Sequence, residues 1–113
     1  MVHLHLRLQT AGERRAELVA FLRDATPFYT APGGIRLRLL ERRGTPNEFL
    51  EIIEYDTNEH FLVDQTRVED DPHMRSLLAR WRSILAVPAT VELYDDISSE
   101  ILPATDQRGL RDQ

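Results

Sequence analysis

The chain has 113 residues, 42% hydrophobic and 29% charged, with a formal net charge of -5, which predicts one domain with one hydrophobic core. That acidic balance argues against a general nucleic-acid partner, because phosphate contacts need a basic face. Zero cysteines exclude disulfides and thiolate chemistry, and since all 14 basic residues other than histidine are arginine, lysine Schiff-base chemistry is excluded too.

No apolar run approaches the roughly 18 residues that span a bilayer, and the first residues lack a signal-peptide pattern. The expectation is a cytoplasmic protein without a membrane partner. Val2-His3-Leu4-His5-Leu6-Arg7-Leu8-Gln9 alternates apolar and polar residues without a break. On a strand this sends Val2, Leu4, Leu6 and Leu8 to one face and His3, His5, Arg7 and Gln9 to the other. Thr10 followed by Glu13 fits a capping box, and a helix is predicted from about Ala11 to Ala25, ended by Pro27, Pro32 and Gly33-Gly34. A second alternating strand, Ile35 to Arg42, reaches a turn at Gly44-Thr45-Pro46-Asn47, and Glu48 to Tyr55 returns as its hairpin partner.

Asp56 or Thr57 can cap a helix from Asn58 to about Val68. Asp71 and Pro72 start a stronger one, in which Met74, Leu77, Leu78, Trp81, Ile84 and Leu85 recur at helical spacing until Pro88. Thr90 to Asp95 forms the last strand. Residues 1–97 are read as the domain and 98–113 as a polar tail, flexible or laid on a partner subunit. This order predicts an α+β, ferredoxin-like split βαβ fold (βαββαβ), with helices on one face of a four-stranded antiparallel sheet.

The uncovered face should carry His3, His5, Arg7, Arg36, Arg38, Glu92 and Tyr94. They are joined by either Glu51, Ile53 and Tyr55 or Leu50, Ile52 and Glu54, because a one-residue slip swaps the faces of a strand. A four-residue hairpin loop selects the set with Glu51 and Tyr55. On that face His5 is placed as a general base held by Glu92 or Tyr94, and Tyr94 as its catalytic companion. His3, Arg7, Arg36, Arg38, Glu51, Tyr55 and Glu92 are placed as ligand-binding groups, with the arginines facing an anionic or enolate-like oxygen. The competing reading is an arginine-carboxylate network that closes a dimer with no ligand. A His3-His5 metal site or haem contact is the third and weakest alternative; neither a metal nor a cofactor is assigned.

Phe49-Leu50-Glu51-Ile52-Ile53-Glu54-Tyr55-Asp56, a following helical segment, and Asp70-Asp71-Pro72-His73-Met74 resemble the dimeric α/β-barrel group, near the antibiotic biosynthesis monooxygenase-like domains. The resemblance spans residues 2–96. It implies a homodimer joined through the sheet faces and a monooxygenase-like enzyme acting on a small polar or aromatic molecule without a bound cofactor. The alternative is a non-catalytic ligand-binding or structural homodimer. Relatives often carry histidine four residues before that proline, where this chain has Val68, and the cofactor-free oxygenases typically present an asparagine and a nearby tryptophan. Here the first strand offers histidines, and Trp81 reads as a core residue.

Overall fold

Four strands pair antiparallel in the spatial order β2-β3-β1-β4, where β1 is Val2–Gln9, β2 Ile35–Glu41, β3 Glu48–Tyr55 and β4 Thr90–Asp95. The structure is a computed structural model and describes residues 1–102. Three helices, α1 (Arg15–Thr30), α2 (Asn58–Asp70) and α3 (Pro72–Ile84), complete the α+β, ferredoxin-like arrangement, and no described helix is long and apolar enough to cross a membrane. The part of the expected tail up to Leu102 contains one 3-10 turn, Ser98–Glu100; its remainder lies outside the described residues.

Pairing fixes the faces. Leu4 lies opposite Ile53, Leu6 opposite Glu51 and Leu8 opposite Phe49, while Ile53 and Glu51 meet Leu37 and Leu39 on the other side. These residues form the helix-covered face, where Leu6, Leu8, Phe49, Leu18, Phe21, Leu22, Trp81 and Ile84 make the main core. Full burial of a side chain such as Leu18 or Ile84 contributes about 1.5–3 kcal/mol each.

The hairpin register departs from the expected one. Arg36 pairs with Glu54 and Arg38 with Ile52, so Glu51 and Tyr55 face the helices, and Leu50, Ile52 and Glu54 take the open face. The loop over residues 43–47 has an odd number of residues, closed by the Arg42 N–H donating to the Glu48 carbonyl at 2.9 Å. Gly44 and Asn47 both adopt positive φ, +80° and +66°, which lets the loop take up an extra residue without splaying the strands. The register also lets Glu54 sit between two arginines, with Arg38 Nη2 at 2.7 Å and Arg36 Nε at 3.4 Å.

Two helix boundaries are also corrected. Thr10 is not a helix cap: it is buried, bridges to Leu85 and donates its N–H to Asn47, and α1 starts after Arg14, with no side-chain cap. Pro27 does not end α1, which continues to Thr30. The carbonyl that loses its partner to the missing proline N–H belongs to Arg23, an exposed residue. The extra turn carries Tyr29 inward. Its last carbonyls are capped from α2, where Arg67 donates Nη2 to Phe28 O at 2.6 Å and Nη1 to Tyr29 O at 3.1 Å.

The other caps follow the sequence. Thr57 accepts from the His60 N–H, and Asp71 accepts from the His73 and Met74 N–H groups.

Candidate functional site

Most of the residues expected at the site lie on the open face, where charges neutralise one another. Arg7 Nε donates to Glu92 Oε1 at 2.8 Å, and the Tyr94 hydroxyl donates to Glu92 Oε2 at 3.0 Å. These contacts hold the Glu92 carboxyl below its ordinary pKa, the Arg7 hydrogen bond being the largest cause. The His5 ring lies 4.7 Å from that of Tyr94, and His3 Nε2 is 3.7 Å from Asp96 Oδ2. Arg36 reaches Asp56 at 2.7 Å as well as Glu54. His5, Arg7, Glu92 and Tyr94 thus form one cluster and Arg36, Arg38 and Glu54 another.

A hollow of about 530 Å³ lies at the hairpin end of this face, lined in part by Arg7, Leu40, Arg42, Glu48, Leu50 and Thr90. Its arginines are paired, Arg7 with Glu92 and Arg42 with Glu48 at 2.8 Å. Among the described residues no group of three or more His, Cys, Asp or Glu is placed to hold a metal ion.

The second cavity, of about 320 Å³, lies on the opposite side of the sheet, between β1, β3 and the helices. Leu4, Leu6, Ile35 and Ile53 form its floor. Val68 of α2 and Met74 and Leu78 of α3 form its roof, and Pro88, Ala89 and Val91 its rim toward β4. Such a volume is at the small end of the ~300–1,000 Å³ usual for ligand pockets, room for on the order of two or three fused rings. The rim faces a part of the sheet that the helices leave uncovered, since Val91 is 61% exposed.

Into this apolar space the sheet projects Glu51. It is 3% exposed, and among the described residues its one hydrogen-bond donor is Trp81, whose Nε1 lies 3.2 Å from Oε1. No described cation pairs with it. Burial therefore pushes its carboxyl up to about 7, although the Trp81 hydrogen bond pulls the other way.

Two tyrosines flank it. Tyr55, fully buried, donates its hydroxyl to Asp64 Oδ2 at 2.6 Å; Arg67 Nη1 approaches the other Asp64 oxygen at 3.4 Å. The Tyr29 hydroxyl has no hydrogen-bond partner among the described residues. Burial raises the pKa of both phenols well above the ordinary range, and the negative charges of Glu51 and Asp64 add to the effect. Both therefore remain donors at neutral pH.

Of the residues placed at the site from sequence, only Glu51 and Tyr55 line this cavity, on the face opposite to the one expected. Asp64 and Trp81 are not among the site residues expected from sequence. Asp64 carries a readable signal: it falls three residues after Phe61 and four before Val68, on the half-buried side of α2. Leu62 and Val63, by contrast, point outward, each 54% exposed. Trp81 is the core residue expected of it and also the donor to Glu51.

No family model matches the chain, and no curated protein matches it. Solved structures do. The cofactor-independent oxygenase SnoaB from Streptomyces nogalater aligns at a TM-score of 0.69 with 18% identity, over 84% of this chain and 91% of its own. A candidate antibiotic biosynthesis monooxygenase from Bordetella bronchiseptica aligns at 0.67 with 18% identity, over 85% and 96%. A conserved protein from Methanosarcina mazei aligns at 0.71 with 10% identity, over 84% and 91%. The chain therefore has an antibiotic biosynthesis monooxygenase-like fold.

Proposed function

We propose that this protein is a small-molecule oxygenase that seats a largely apolar, ring-shaped substrate in the cavity between sheet and helices, uses dioxygen without a resident cofactor, and works as a homodimer. The carrying observation is the 320 Å³ cavity itself, apolar except for Glu51 and the few polar groups around it. A pocket of this kind selects rings by shape and orients them with its few polar groups. The likeness to SnoaB, a cofactor-independent oxygenase, supports the reaction class by analogy of fold.

The overall conversion balances with no outside reductant. A ring methylene becomes a carbonyl, its two C–H bonds break, one oxygen atom of dioxygen enters the product, and the other leaves as water with both hydrogens. The substrate supplies all the electrons.

The open face has a separate task in this reading. Its ion pairs and its exposed Leu40 and Tyr94, 46% and 43% accessible, form a surface that a second copy covers. This keeps the structural part of the alternative reading, closure by arginine-carboxylate pairs, and moves ligand binding to the other side of the sheet.

Trp81 is the only tryptophan and lines the cavity, so its fluorescence reports occupancy. A panel of two- and three-ring phenols and ketones, 2-tetralone among them, should quench it saturably. At least one member should draw down dioxygen, with a labelled oxygen atom appearing in the product. Saturable quenching with no dioxygen uptake by any member refutes the oxygenase assignment, and no quenching by any member refutes the cavity as the binding site.

A further inference from the structure

We propose that Glu51 is the catalytic base of the cavity: its carboxylate takes a proton from a weakly acidic C–H or O–H of a ring-shaped ligand, and the Tyr29 hydroxyl donates a hydrogen bond to the oxyanion that forms. This rests on the cavity as the ligand site and adds to it the group that starts the chemistry.

Other groups facing the cavity are poor bases for this step. The Asp64 oxygens are taken up by the Tyr55 hydroxyl and by Arg67. Tyr29 and Tyr55 hold their protons more firmly than ordinary phenols. His3 and His5 are on the opposite face of the sheet. Arg82 of α3 lines the cavity but, as a permanent cation, takes no proton. Glu51 remains, buried, unpaired by any described cation and held by a single donor.

A structural role alone does not account for a carboxyl here. An amide oxygen at the same position would also accept the Trp81 N–H and would carry no ionisation penalty. What the carboxyl adds is a proton acceptor matched to neutral pH, since a base tuned near the working pH makes best use of its driving force. The step balances simply: the substrate C–H or O–H bond breaks, its electron pair stays on the substrate as an enolate or phenolate, and the proton moves to a Glu51 oxygen. Dioxygen takes no part in it.

The proton transfer can therefore be read apart from oxidation. The probe is 2-tetralone, a two-ring ketone with weakly acidic C–H bonds, incubated with the protein in deuterium oxide under nitrogen. Exchange of its α-hydrogens is followed by NMR, and its binding by quenching of Trp81. The expected result is protein-accelerated exchange that rises through a midpoint near pH 7, because burial pushes the Glu51 carboxyl up to about 7. Glu51→Gln should bind the ketone and lose at least about 100-fold of the acceleration. In Trp81→Phe, followed by NMR line broadening of the ketone, the midpoint should move up, because the donor that favours the charged carboxylate is gone. Trp81 is a positioning residue, and a merely structural role would leave that midpoint unmoved.

Exchange in Glu51→Gln at the wild-type rate overturns the proposal, as does binding by the wild type with no exchange or a flat pH profile. Those results leave the cavity reading standing; failure of 2-tetralone and the rest of the panel to bind removes both. The wild-type profile needs no variant, so the proposal stays refutable even if a substitution unfolds the chain.

Discussion

A carboxyl buried without a cation must make the folded state sensitive to pH, and Glu51→Gln isolates that sensitivity. Glu51 is raised from an ordinary 4.5 to about 7 in the folded protein. Below pH 4.5 the group is protonated in both the folded and the unfolded chain, and its contribution to stability is at its most favourable. Between 4.5 and 7 the unfolded chain releases the proton while the folded chain keeps it. Stability then falls with rising pH, at about 1.4 kcal/mol per pH unit. Above 7 both states are ionised and the loss levels off at about 3 kcal/mol. Glutamine keeps the acceptor for Trp81 and cannot ionise, so the stability of Glu51→Gln relative to wild type should grow by about 3 kcal/mol between pH 4.5 and pH 8. Urea unfolding followed by Trp81 fluorescence, at one fixed protein concentration, measures this directly. The other acids titrate identically in both proteins and cancel in the difference. A gap constant with pH to within about 0.5 kcal/mol, the usual spread for additive changes, refutes the claim that Glu51 is buried and uncompensated.

Three further outcomes are expected. Tyr55→Phe removes the 2.6 Å hydrogen bond to the buried Asp64 and should lower stability by about 1–3 kcal/mol, measured as a shift in urea midpoint; no shift means that Asp64 finds another donor. Gly34→Ala should destabilise by about 1–3 kcal/mol. Gly34 has φ +69°, and an added Cβ would meet the His60 ring at 2.5 Å, so a thermal midpoint equal to wild type counts against the tight approach of α2 to this turn. Arg38→Ala should leave quenching of Trp81 by 2-tetralone unchanged and weaken self-association. Light scattering should give about twice the 13.1 kDa chain mass for the wild type, and a stable monomer at micromolar concentration removes the dimer.

The strands and the second half of the chain were legible because their signals are local. Alternation defines β1, and Asp71-Pro72 marks the start of α3 through side-chain oxygens that meet free N–H groups. The two ends of the first helix differ from the sequence expectation because they are set by tertiary contacts. Thr10 and Glu13 have the capping spacing, yet Thr10 donates its N–H to Asn47 and sits in a β-bridge opposite Leu85 that the flanking Ala86–Gln9 and Ala11–Ile84 bonds make, contacts that a sequence window does not contain. Pro27 stays in the helix because the carbonyl it orphans belongs to an exposed residue. The site was misplaced by the parity of one loop. Arg36 and Arg38 lie on the open face in either register, but Glu51 and Tyr55 change sides when one residue is added to the turn.

That parity also explains why some glutamate had to enter the cavity. Glu51 and Glu54 are an odd number of positions apart on one strand, so in any register one of them faces the helices. With Glu54 inward, Tyr55 would lose Asp64, and Arg36 and Arg38 would lose the carboxylate between them. With Glu51 inward, the buried carboxyl finds only the Trp81 N–H among the described residues. The observed register satisfies the stronger set of partners and places the unmet demand at the centre of β3, beneath the cavity. Replacing Glu51 by leucine would remove the penalty of about 3 kcal/mol at pH 8 that follows from its raised pKa. It would also strip the cavity of its base. Both readings of Glu51 therefore give the same gain in stability at pH 8 and part only at the chemistry: if Glu51→Leu raises stability and abolishes exchange on 2-tetralone, the carboxyl is kept for chemistry, whereas if it raises stability and leaves exchange intact, Glu51 is a buried charge without that task.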